Sequence, residues 1–262
     1  MENLHYELDD GVARVTLNRP HAKNALNEAM ARELSQLLSQ LRTDDAVRVV
    51  LLAGSGGAFC SGGDVKGMGE GRDRTPEQRR ATFAVFQQVA VELLAMDKPV
   101  VAGAQGVAYG AGFSLLLLCD FVVLAEDARL CMVFQRIGLV PDLAALYTLP
   151  RVVGLQRAKA LMLSAREVKA VEALALGIAA EVVPVAELAA RANAVALALA
   201  GASPVALALC KRGLLTSMYS NASTMLELEA SAQLTAGGSA YLNEAVRRFA
   251  AKEAPQFRWL ER

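Results

Sequence analysis

Residues 99–125 set the first limit on how this chain can fold. The stretch is long and apolar enough to span a bilayer, but Gln105, Asp120 and the glycines at 103, 106, 110 and 112 interrupt it. A span broken at those places is better satisfied as the core of a water-soluble domain. Read by periodicity, residues 100–104 form a buried strand, 106–112 a Gly-rich turn, 113–119 a short buried helix and 121–125 another strand.

The surrounding chain repeats that alternation. Residues 12–17 alternate as a strand, and 27–42 carry Met30, Leu34, Leu37, Leu38 and Leu41 at helical spacing. Residues 47–53 read as a further strand that ends in the Gly54-Ser55-Gly56-Gly57 turn. Strands alternating with helices predict an α/β body with crossover connections. Residues 66–80 are charged and Gly-rich and are expected to be a solvated loop, or else a mobile lid that brings arginines to a phosphorylated ligand. After about Leu143 the pattern becomes almost wholly helical, with Ser203-Pro204 as N-cap and first helical residue and further helices over 221–235 and 239–252. Two parts are expected: 1–200 as the α/β core, and 201–262 as a helical region whose Ala and Leu make subunit contacts.

Charge and rare residues exclude several function classes. Twenty-seven basic and 27 acidic side chains cancel, so no broad electrostatic footprint exists for nucleic acid or an anionic membrane. Cys60, Cys119, Cys131 and Cys210 match neither zinc-ligand nor disulfide spacing and are expected to be reduced and mostly buried. His5 and His21 sit in a strand-like stretch and a turn, where structural roles are expected, and no metal site is anticipated. The start has no basic and apolar leader pattern, which makes the cytoplasm the expected location.

Two loops could carry chemistry: Ser61-Gly62-Gly63-Asp64 and Tyr109-Gly110-Ala111-Gly112. Each follows a strand, and each has small residues where backbone could approach a ligand. Backbone N–H groups converging from both would form an oxyanion hole. Phosphate-loop, dinucleotide and serine-elbow motifs are missing. Asp142, after Pro141 in an apolar loop, reads by itself as the N-cap of a helix starting at Leu143, although desolvation there could also raise its pKa.

Taken together, the motifs resemble one family. Asn18-Arg19-Pro20 with Lys23-Asn24-Ala25-Leu26, then Ala58-Phe59-Cys60-Ser61-Gly62-Gly63-Asp64-Val65, Lys98-Pro99-Val100 and Gly106-Val107-Ala108-Tyr109-Gly110-Ala111-Gly112 match the enoyl-CoA hydratase/isomerase (crotonase) superfamily in order and spacing. Ile137-Gly138-Leu139-Val140-Pro141-Asp142 and the ending with Phe249, Lys252, Pro255 and Phe257 fit as well. The resemblance implies a core of repeated ββα turns and a C-terminal helical region that forms trimers or dimers of trimers. The ligand it implies is an acyl-CoA, with coenzyme A as part of the substrate and no prosthetic group.

By position, the resemblance implies that Gly63 and Ala111 supply the oxyanion-hole N–H groups, with Ala in a place usually held by Gly. That donor survives if the local φ is negative. Lys23, Ala25, Leu26, Ser61, Asp64 and Val65 match positions lining the coenzyme, and Phe249 and Lys252 match positions that reach it from a neighbouring subunit. Phe113, Ser114, Val133 and Phe134 match the acyl pocket. Family hydratases carry glutamates at the positions of Ser114 and Phe134, neither of which can serve as an efficient general base here. An Asp at position 142 resembles the branch that isomerises enoyl or ring-derived CoA thioesters by moving a proton. Other readings are a hydratase or hydrolase whose water is held by Ser114 or Glu126, an aryl-CoA dehalogenase, and an oligomer that binds CoA thioesters without turnover.

Overall fold

The computed structural model describes residues 1–65 and 74–260. The chain opens with a hairpin, β1 (Leu4–Asp9) and β2 (Val12–Leu17), followed by α1 (Glu28–Thr43), capped by the Asn27 side chain. Then come β3 (Val49–Gly54), α2 (Pro76–Leu94), β4 (Val100–Ala104), β5 (Val107–Tyr109) and α3 (Ala111–Leu117). They are followed by β6 (Phe121–Ala125), β7 (Arg129–Cys131), α4 (Ala145–Val153), α5 (Leu155–Ser164), β8 (Glu167–Lys169), α6 (Ala170–Ala175) and β9 (Glu181–Val183). Helices α7 (Leu188–Ala200), α8 (Pro204–Ser217), α9 (Ala222–Gly237) and α10 (Ala240–Ala250) complete the chain.

The strands form two sheets. The larger runs β1-β2-β3-β4-β6-β9 and is parallel from β2 onward; the smaller runs β5-β7-β8. Isolated bridges Leu26–Gly63 and Cys60–Ala108 extend the second layer. The parallel strands β3, β4 and β6 are near-continuous apolar runs because both of their faces are covered. On one face Val12, Val49, Leu51, Val101 and Val123 pack against Leu188, Ala192, Val195, Ala196 and Leu199 of α7. On the other, Val15, Val50, Leu52, Ala102 and Leu124 meet the main core with Leu34 and Leu38 of α1. No single helix among the described residues is long and apolar enough to cross a membrane.

Several expectations need correction. Residues 106–112 are not one turn, since 107–109 form β5 against β7. Residues 76–80 are helical, started by a capping box in which Thr75 and Gln78 satisfy each other's backbone N–H; of the rest of the expected loop, 74–75 are irregular and 66–73 lie outside the described residues. The chain after Leu143 contains β8 and β9, three-residue strands too short to show a period. Cys60 and Cys131 are buried, but Cys119 is half-buried and Cys210 exposed.

Toward the C-terminus, α9 and α10 bury no residue at all. Leu226, Leu234, Val246 and Phe249 stand in the open on them, Leu234 at 81% and Phe249 at 86% exposure.

Candidate active site

The first loop is built by parallel pairing with the segment before α1. The Leu26 N–H donates to the Gly62 carbonyl (2.7 Å), and the Asp64 N–H donates to the Leu26 carbonyl (3.0 Å). These two bonds flank Gly63, so in a parallel ladder its own N–H faces away from Leu26. Ser61 adds an N–H bond to the Lys23 carbonyl (2.9 Å) and an Oγ bond to the Ala22 carbonyl (3.2 Å).

The second loop delivers another donor. Gly110 turns the chain at φ +49°, and Ala111 is the first residue of α3, where helical N–H groups have no partner within the helix. Ala111 lies outside the left-handed region, so its methyl leaves the donor intact. Among the described residues, no acceptor takes the N–H of Gly63 or Ala111.

Glycines let the two loops touch. A Cβ on Gly62 would lie 2.9 Å from the Tyr109 carbonyl oxygen and 3.8 Å from the Ala111 nitrogen. The Cys60 N–H bonds Val107, and the Tyr109 N–H bonds Cys60, which locks the segments edge to edge. Val133 and Phe134 form an apolar wall over Gly110, where a Cβ would be 3.3 Å from Val133 Cγ2 and 3.6 Å from Phe134 Cζ. Ser114 is wholly buried, its hydroxyl donating to the Gly110 carbonyl (3.2 Å), and Phe113 is wholly buried in the main core. Glu126 is exposed beyond β6.

Asp142 departs from its expected structural role. Leu143 and Ala144 are both left-handed, at φ 47° and 61°, and α4 begins only at Ala145 with Ala144 as N-cap. The carboxylate therefore caps nothing, and it is the Asp142 main-chain carbonyl that accepts the Ala145 N–H (2.9 Å). Its Oδ1 is buried without a hydrogen-bond partner among the described residues. Burial raises the Asp142 pKa to about 6, against a smaller lowering by its own backbone N–H. Burial also pushes the Cys60 thiol up to about 11, with a further small rise from the charge of Asp142.

The residues matched to coenzyme positions fall into two groups. Lys23 is exposed in a left-handed turn, Ala25 and Leu26 are buried beneath it, Val65 is exposed, and the Asp64 carboxylate pairs with Arg19 (2.9 Å). The structure brings these together with Ser61 on the zipped pair of segments. Phe249 and Lys252 are exposed at the end of α10 and form no hydrogen bond or ion pair with either loop. Sequence reasoning missed the roles of Arg19 and Asn24. Asn24 is wholly buried, accepting from the Arg19 N–H (2.8 Å) and donating to the carbonyls of Ser55 and Ala58 (2.8 Å each). A polar Asn among apolar neighbours inside the Lys-Asn-Ala-Leu motif was the available signal.

A family model described as enoyl-CoA hydratase/isomerase matches residues 7–259. The chain belongs to this family. It is 34% identical to 1,2-epoxyphenylacetyl-CoA isomerase from Escherichia coli over 258 residues, 98% of each chain. It is 32% identical to short-chain-enoyl-CoA hydratase from Clostridium acetobutylicum over 234 residues, 88% of each. A crystal structure of an enoyl-CoA hydratase/isomerase from Cupriavidus metallidurans is 37% identical, superposes with a TM-score of 0.94 and covers 100% of this chain and 98% of its own. The crotonase fold, mixed α/β with a helical C-terminal region, is thereby established for this member of the enoyl-CoA hydratase/isomerase family. Its relatives carry both isomerase and hydratase names, so family membership gives acyl-CoA chemistry and leaves the reaction to the site residues.

Proposed function

We propose that this protein shifts the double bond of an enoyl-CoA thioester, with Asp142 as the single acid/base and the N–H groups of Gly63 and Ala111 as oxyanion donors. The observation that carries this reading is the half-buried Asp142 carboxylate, whose enclosed Oδ1 has no hydrogen-bond partner among the described residues, while the residues at the two hydratase glutamate positions are a hydroxyl bonded to Gly110 and a phenyl ring. With a 3-enoyl thioester, Asp142 takes a proton from C2. The electron pair enters the adjacent thioester carbonyl and is conjugated with the C3–C4 double bond, so that negative charge is shared between the thioester oxygen, where two fixed donors stabilise the dienolate, and C4. The same carboxylic acid then returns the proton to C4, leaving a C2–C3 double bond and consuming no water. A base with a pKa near 6 is mostly ionised at neutral pH yet readily regains its proton.

Hydration is disfavoured in this reading. The Val133–Phe134 wall lies beside the second donor loop, Ser114 is engaged, and Glu126 faces solvent. A binding-only protein would have no reason to bear the cost of an unpaired buried carboxylate. Lys23, Ala25, Leu26, Ser61, Asp64 and Val65 are assigned to the coenzyme within one subunit. Phe249 and Lys252 are assigned to the coenzyme of a neighbour, in a trimer or dimer of trimers built by residues 201–262. The exposed apolar side chains of α9 and α10 support that assembly, and the free thiols fit a cytoplasmic setting.

Mass spectrometry of crotonyl-CoA and a 3-enoyl-CoA incubated in heavy water tests the reading beside Asp142→Asn. The expected result is deuterium entering the acyl chain, or the double bond moving, with no added water and only when Asp142 is present. Hydrated product that survives Asp142→Asn would overturn it.

A further inference from the structure

The Arg19 guanidinium occupies a place that no donor or base requires. Its side chain is 14% exposed, and it forks across the two zipped segments: Nη1 donates to the Ala25 carbonyl (2.6 Å) and Nη2 to Asp64 Oδ2 (2.9 Å). Ala25 directly precedes Leu26, and Asp64 directly follows Gly63, so the fork closes around the isolated Leu26–Gly63 bridge from both strands. The backbone of Arg19 is tied down as well: its N–H donates to Asn24 Oδ1, and its carbonyl accepts from Ala22 and Asn24.

That bridge is short. Only two backbone hydrogen bonds flank Gly63, and Gly62 beside it sits at φ +104°. An oxyanion donor has to be aimed within a fraction of an ångström, and a misplacement of about 1 Å costs roughly a hundredfold in rate. A planar, bidentate, largely desolvated guanidinium is suited to hold two chain segments in register, and a lysine ammonium, a point charge on a flexible stem, is not.

We infer that Arg19 is a positioning residue for the reaction: through Ala25 and Asp64 it fixes the direction of the Gly63 N–H that receives the thioester oxygen. The inference rests on the proposed role of Gly63 as an oxyanion donor. It also gives Asp64 a second task, as the anchor of that clamp, beside its expected place near the coenzyme.

The test uses a chromophoric aryl-acryloyl-CoA thioester, whose absorbance moves to longer wavelength when its carbonyl is polarised by fixed N–H donors. Wild-type protein is expected to show the shift. Arg19→Met is expected to lose most of it and to lower kcat about ten- to hundredfold, while the Kd for free coenzyme A changes less than about threefold. Arg19→Lys and Asp64→Asn are expected to fall between, and they replace Arg19→Met should that variant not fold. Asp142→Asn should keep the full shift while losing turnover. That separates the two readings: turnover surviving Asp142→Asn overturns the isomerase assignment alone. A full shift with wild-type kcat in folded Arg19 variants overturns the positioning role. No shift in wild-type protein overturns it too, by removing the donor that Arg19 is said to aim.

Discussion

Gly112 lies so close to Cys60 that a Cβ added to it would stand 2.3 Å from the Cys60 carbonyl oxygen and 2.8 Å from its Cβ. Neither atom belongs to a flexible side-chain end, so the two donor loops themselves would have to part. Gly112→Ala is expected to cost about 1–3 kcal/mol of stability, as overpacking of a tight contact does. Since Ala111 and Gly63 flank the same contact, turnover should fall at least about tenfold. Thermal denaturation and kcat measured together check this; wild-type values of both would show that the loops are not held at that spacing.

The Asp142 pKa near 6 fixes an acid limb for the reaction. As a base it works only when ionised. Below about pH 6 the value of kcat/KM should therefore fall about tenfold per pH unit, with a plateau above about pH 7. A pH profile of double-bond migration in the wild-type protein measures it. An acid limb near pH 4 would mean that Asp142 is solvated in the free enzyme and that its burial does not hold in solution.

The same carboxylate should weaken the fold above its pKa. Its pKa is raised from 3.8 to about 6, so folding favours the neutral form: the contribution is fully present below about pH 3.8 and is lost as pH rises through about 6. Asn is neutral throughout. Asp142→Asn is accordingly expected to melt higher than wild type at pH 8, by the equivalent of about 1–3 kcal/mol, with the gain disappearing near pH 4. Melting curves of both proteins at the two pH values decide it, and a pH-independent difference would mean that burial of the charge is not what separates them.

Much of this arrangement is legible in the sequence, and the exceptions have physical causes. The strands at 12–17, 100–104 and 121–125 and the Asn27- and Ser203-capped helices follow from runs and caps that local physics dictates. Strands β8 and β9 are three residues long and exist through pairing with distant partners, Arg129–Cys131 and Val123–Ala125, which no local window contains. The N-cap reading of Asp142 fails because Leu143 and Ala144 adopt left-handed backbone, a choice that neither residue type advertises and that sets the helix start two residues later. The two donor loops are visible as Gly-rich turns, but the contact between them, like the Arg19 fork, arises only when segments about forty residues apart meet.

The C-terminal helices carry the last prediction. Leu226 and Leu234 on α9 and Phe249 on α10 are large apolar side chains at 65%, 81% and 86% exposure, and neither helix has a fully buried residue within its own chain. An apolar surface of that kind on a stable protein is covered by another molecule, and the proposed cover is a second and third copy of this chain. Leu234 is mostly exposed, so Leu234→Asp removes little that the chain buries by itself and the altered protein should fold. Placing a charge where apolar surface would be buried between copies should disfavour the assembly strongly. Sedimentation or light scattering is expected to give a trimer, or a multiple of it, for wild type and smaller species for Leu234→Asp. If Phe249 and Lys252 serve a neighbour's coenzyme, the KM for the thioester should rise in the same variant although the Asp142 site lies in an unaltered subunit. A wild-type monomer with an unchanged KM in Leu234→Asp would reject both the assembly and the shared coenzyme site.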